Sequence, residues 1–234
     1  MSRLHNRIAL IGLGAWNVVV NRHLSERHYV PANLSAAAAT YLLARSAGVG
    51  NGALGLGLDG LSDGVRWGTA GAGLVAAGVV AASRHGSTRH LFDDARAASG
   101  NSAYETLLRI PLGTVVLEEV AFRGALSALL ERGSPRRASF ASAALFGLWH
   151  VLPILETLNI NGILHRKTRL QAVVAGVAAT AVVGLALDVL RLRSRSLLAP
   201  MLTHWSANAV SYAIAAHRAV QPDGDEKTSI NRGR

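Results

Sequence analysis

The chain contains no cysteine. That absence excludes a disulfide framework, a thiol nucleophile and a Cys-ligated zinc. Charge is scarce as well: only 16% of the 234 residues are Asp, Glu, Lys or Arg, where a soluble domain carries about a quarter. Acids are the rarer sign, 14 against 24 Lys and Arg, for a net charge of +10. The HExxH zinc-helix signature is missing. No segment alternates apolar and polar residues in the manner of a membrane barrel strand.

Apolar residues are abundant, at 50% of the chain, and they are bunched. Runs at 8–20, 32–43, 68–82, 104–130, 138–155, 170–190 and 197–216 are separated by short Arg-rich or polar pieces. This is the layout of a polytopic membrane protein. Lipid leaves no partner for free backbone groups, so the spans must be helices or a closed barrel. Ala, Leu and Gly dominate the runs, which selects helix. The expected fold is an all-α transmembrane bundle of seven spans, or eight if the Gly-rich region 48–64 enters the membrane. One transmembrane domain covers 1–220, its motif-bearing core covers 104–212, and 221–234 reads as a polar, disordered tail.

On a soluble protein a pI of about 11.2 would point to nucleic acid. Here the basic residues flank the apolar runs: Arg3 and Arg7, Arg22 and Arg27, Arg132 with Arg136 and Arg137, and Arg191, Arg193 and Arg195. They read as lipid-headgroup flanks and topology signals, with no nucleic-acid partner. The N-terminal run lacks a small-x-small cleavage site and is read as a retained span. Gly50, Gly52 and Gly55 spell a dinucleotide fingerprint by letters alone; the strand it requires is absent.

Polar groups at membrane depth are costly and functional by default, and three of the runs carry them. In 104–130, Glu119 and Arg123 are four apart, acid first, the favourable order for an intrahelical ion pair. Glu118 is rotated about 100° from Glu119 on a helix and cannot share its task. It takes a partner from another helix, or serves as a general base. In 138–155, Phe146 and His150 are again four apart, and Pro153 ends or kinks the helix just beyond. In 197–216, His204 and Asn208 repeat the spacing. Two donors aimed at one point are what an oxyanion needs; the plainer alternative is interhelical hydrogen-bond glue.

These three motifs carry a family pattern. EEVAFR (EExxxR), FGLWH (FxxxH) and HWSAN (HxxxN), in that order on successive late runs, resemble the CPBP intramembrane proteases, also called the CAAX protease and bacteriocin-processing or Abi family. The resemblance covers 104–212 and extends through FRGAL and SLLAPMLTHWSAN. It implies an all-helical membrane fold of about eight spans around an intramembrane polar cavity open to one side, and an endopeptidase that hydrolyses a peptide bond inside the membrane. Carried over, Glu118 resembles the glutamate that activates water, helped by His150. His204 and Asn208 resemble the oxyanion pair, Glu119 and Arg123 the supporting pair, and Phe146 a packing residue. The family is usually labelled metalloendopeptidase, and a zinc would be held by Glu118, His150 and His204. A metal-free version, with water polarised directly by Glu118 and His150, is favoured, because zinc would consume the base as a ligand. The turn RLRSRSLLAP departs from the family, whose members commonly carry a Thr-Gly step there. Asp188 reads as a helix-end acid beside Arg191. The implied partners are the lipid bilayer and a peptide or membrane-protein substrate, and the implied place is a bacterial cell membrane. A scaffold or immunity protein retaining the fold is the alternative, and a proton relay a further one. The transporter version of the relay finds no paired halves in the sequence.

Overall fold

A computed structural model describes residues 3–98, 101–131 and 134–220. The tail 221–234 and Arg132 lie outside the described residues. Among the described residues every regular element is helical and no strand occurs. The helices are α1 (Arg3–Arg22), α2 (Glu26–Ser46), the short α3 (Asn51–Leu54), α4 (Leu61–Arg84), α5 (a continuous helix over 102–130), α6 (Pro135–Trp149), α7 (Val151–Ile160), α8 (Arg166–Ser194) and α9 (Leu198–Val220).

Three stretches are long and apolar enough to cross a membrane: Asn51–Arg84, Pro135–Ile160 and Arg166–Ser194, with mean hydropathies of 1.3, 1.6 and 2.3. At 1.5 Å per residue, the 29 residues of α8 reach past the roughly 30 Å of a hydrocarbon core. Only 17% of its apolar window is buried inside the protein. Apolar surface turned outward on that scale calls for lipid.

Helix α5 is central and packs against α2, α6, α8 and α9. Its core side chains Leu117, Ala121, Phe122, Ala125 and Leu126 join Leu13 of α1, Ala37 and Ala44 of α2, and Phe146 and Trp149 of α6. Backbone hydrogen bonds in α5 run from residue i to i+5 over Glu105–Val115 and Glu119–Leu126. Such wide turns are rare and gather at functional sites. Pro111 has no N–H to give, so the Thr106 carbonyl five residues earlier is left over; it accepts instead from Trp205 Nε1 of α9 at 2.7 Å. The Phe122 carbonyl accepts from both Ser127 Oγ and Ser142 Oγ, each at 2.8 Å.

Glycines set the closest approach of helices. Gly64, Gly68 and Gly71 of α4 form a small-residue seam against α9. A Cβ on Gly68 would stand 2.8 Å from Leu202 Cδ1 and 3.0 Å from the Ala199 backbone, and one on Gly71 would collide with the Thr203 side chain. Overpacking of this kind costs about 1–3 kcal/mol. Gly68→Val is therefore expected to lower the thermal unfolding midpoint in detergent, while the same change at Gly73, which has open space around it, leaves the midpoint near wild type.

The glycine-rich region holds α3 and a 3₁₀ turn at Leu58–Gly60. It docks on the turn between α8 and α9, with Leu197 N donating to Gly55 O at 2.8 Å. Gly55 sits at φ +76°, and a Cβ there would stand 3.1 Å from Leu197 N. Arg191 was expected among the headgroup flanks. Its guanidinium instead donates to the Ala53 carbonyl, because the docked loop presents that carbonyl beside α8. Arg195 ends α8 at φ +55°, a left-handed position that glycine adopts more readily.

Candidate active site

Helix α6 stops at Trp149 and α7 begins at Val151, leaving His150 at the junction. Pro153 falls in the first turn of α7, where a missing N–H breaks no helical bond. Asn17 of α1 holds the break in place by donating to the Trp149 carbonyl at 3.0 Å.

Glu119 is the hub. Its side chain is fully buried, and Oε1 accepts from Arg123 Nη1 at 3.0 Å and from His204 Nδ1 at 2.7 Å. A carboxylate ion only accepts, so Nδ1 of His204 carries a proton. The other ring nitrogen, Nε2, faces Glu118 Oε2 at 3.7 Å. Glu118 is tied differently: Trp149 Nε1 donates to its Oε1 at 3.0 Å, and Oε2, though buried, has no hydrogen-bond partner. The adjacent acids thus hold separate partners on separate helices.

Phe146 is the second hub. Arg123 lays its guanidinium 3.9 Å from the centre of the Phe146 ring, and His150 and His204 meet that ring edge-on at 4.5 and 6.0 Å. Gly184 of α8 leaves room beside this stack; a Cβ there would stand 3.1 Å from both Arg123 Nη2 and Phe146 Cδ1. His150 Nδ1 donates to the Phe146 carbonyl at 2.8 Å. A carbonyl cannot donate, so Nε2 of the neutral His150 ring is the free acceptor.

The structure links Glu118, Glu119, Arg123, Phe146 and His204 through successive pairwise contacts and sets His150 against the Phe146 ring. His150 makes no hydrogen bond to Glu118 among the described residues. Asn208 lies one turn beyond His204 on α9, half-buried, and has no hydrogen-bond partner there.

Residues 101–210 match the family model described as type II CAAX prenyl endopeptidase Rce1-like. Over this segment the chain is similar to the CAAX protease family. Among the curated proteins and the solved structures nothing matches. The matched segment contains every candidate site residue, from Glu118 to Asn208. With the outward apolar faces of the long helices, it makes the chain an integral membrane protein.

Among the described residues no three His, Asp or Glu side chains converge closely enough to hold an ion. Glu118 and His204 face each other, but His150 is turned to Phe146, so the geometry does not fit the set of Glu118, His150 and His204.

Two positions escaped the sequence reading, and a third is more buried than that reading implied. Trp149 and Trp205 each adjoin a motif histidine, and each spends its indole N–H on the site's scaffold, at Glu118 and at Thr106. A tryptophan at such a spot reads as packing, and nothing in the letters marks its N–H. Asp188, read as a helix-end acid beside Arg191, does interact with that arginine electrostatically, but it is also 1% exposed and accepts from Ser127 Oγ of α5 at 3.1 Å.

Proposed function

We propose that the protein is an intramembrane endopeptidase of the CAAX type, in which Glu118 activates the attacking water. One observation carries this reading: Glu118 is fixed through one oxygen by Trp149, while its other oxygen, buried and unpartnered, faces His204. A carboxylate held in that way is oriented yet still able to take a proton.

The chemistry follows from the donors. Glu118 Oε2 withdraws a proton from water as the hydroxyl oxygen bonds to the carbonyl carbon. The free Nε2 of His150 is a second acceptor on the same water. With Nδ1 committed to Glu119, His204 donates to the developing oxyanion through Nε2, which requires the doubly protonated ring; Glu119 supplies the counter-charge. Asn208, without a partner of its own, adds its amide N–H to that oxyanion. The C–N bond then breaks, and the proton taken by Glu118 passes to the leaving amine. The reading places this site in a polar cavity among seven crossing helices, the three most apolar joined by α1, α2, α5 and α9. The substrate class is a peptide or membrane-protein segment, a prenylated C-terminal peptide being the form the family description names.

The test uses purified protein in liposomes with a prenylated CAAX peptide and its unprenylated twin. Wild type is expected to release a C-terminal fragment, and His150→Ala to lose that release while still inserting. If a cellular phenotype of the protein survives both His150→Ala and Glu118→Gln, the scaffold reading replaces this one. Chelator treatment is expected to leave cleavage intact; loss in chelator with recovery on added zinc would overturn the metal-free mechanism.

A further inference from the structure

Asp188 is a buried acid that the mechanism leaves unused. It sits on α8 four residues beyond Gly184, so both face α5 from one side of their helix. Opposite them stand Arg123 and Ser127, also four apart. Gly184 admits the Arg123 guanidinium, and Ser127 Oγ holds Asp188 Oδ1 at 3.1 Å. Asp188 interacts electrostatically with Arg123 and with Glu119. The guanidinium bonds to Glu119 and keeps Nε and Nη2 without hydrogen-bond partners, as Asp188 keeps Oδ2. Two buried carboxylates thus act on one buried cation, and only Glu119 is hydrogen-bonded to it; Arg191 of α8 also acts on Asp188.

We infer that Asp188 is a positioning residue for the catalytic site. Its charge attracts Arg123 from α8, so that Glu119 is not drawn wholly onto the guanidinium and keeps its 2.7 Å bond to His204. Without Asp188, Arg123 would be balanced by Glu119 alone, the carboxylate would settle deeper on the guanidinium, and His204 would lose its anchor. Asp188 acts at two removes from the reacting atoms, as outer partners of a ligand or base do, and those commonly govern about 10–100-fold in activity. The inference rests on the proposed proteolysis.

The experiment measures kcat and KM for the prenylated peptide in liposomes, together with the unfolding midpoint. Asp188→Asn keeps the shape and the bond from Ser127 and removes the charge. The expected result is a kcat about 10-fold lower with KM unchanged. In an Arg123→Lys background the same change is expected to cost less than about 2-fold, since the effect runs through Arg123. A wild-type kcat, or an equal loss in both backgrounds, overturns the inference. Should Asp188→Asn fail to fold, Ser127→Ala frees the carboxylate without removing it; a lowered kcat at constant KM then supports the inference and an unchanged kcat overturns it. A wild-type protein that cleaves neither peptide refutes the proteolytic reading itself, whereas cleavage by wild type with Asp188→Asn its equal refutes only the role of Asp188.

Discussion

Glu118→Gln is expected to leave a folded, inserted protein whose cleavage rate falls by about 10²–10⁴-fold, the usual contribution of a positioned general base. Glutamine matches glutamate in shape, and its amide oxygen still accepts from Trp149 Nε1, so the packing of α5 on α6 is preserved. What disappears is the ability of the second oxygen, facing His204, to take a proton. A loss confined to kcat, with an unchanged unfolding midpoint, is the signature. Retention of more than about a tenth of the wild-type rate would remove Glu118 from the role of base. The neighbouring Glu119→Gln separates the two acids. It loosens Arg123 and His204 together and should lower the midpoint as well as the rate, since both partners meet on Oε1.

Arg123→Met carries the largest expected cost in stability. The guanidinium is fully buried, paired with Glu119 at 3.0 Å and stacked on Phe146. Taking one partner from a buried pair leaves the other charge uncompensated, at about 3–5 kcal/mol. Replacing both as Glu119→Gln with Arg123→Met removes the stranded charge and is expected to recover part of that loss. Unfolding in detergent, followed for the two single changes and the double, gives the coupling directly. A single change costing under about 1 kcal/mol would place the pair among those worth little, as surface pairs are.

Helix was legible because lipid permits little else for runs so rich in Ala, Leu and Gly. The separation of Glu118 and Glu119 onto different partners was legible because helical geometry turns adjacent residues apart. Spacing also gave the Glu119–Arg123 contact, which is local. The bond from Glu119 to His204 joins residues 85 apart in sequence, and no spacing rule predicts it. The burial of Asp188 was missed for a related reason. Arg191, its nearest cation along the chain, acts on it but also donates to the carbonyl of Ala53, and the hydrogen-bond donor to Asp188, Ser127, comes from α5. The inward turn of Arg191 depends on the docking of a loop more than 130 residues away, which periodicity does not encode.

The wide turns of α5 change what a single residue means in this helix. Passing between i+5 and i+4 bonding adds or removes one residue from a turn, and one residue is about 100° of rotation. Deleting a residue from 105–115 would therefore act less as a shortening than as a twist, swinging Glu118 away from Trp149 and Glu119 away from His204 with every motif letter intact. When relatives of this chain are compared, a one-residue gap in that stretch marks a different rotational phase of the site, and a cleavage assay on such a deletion would read that phase as activity lost or kept.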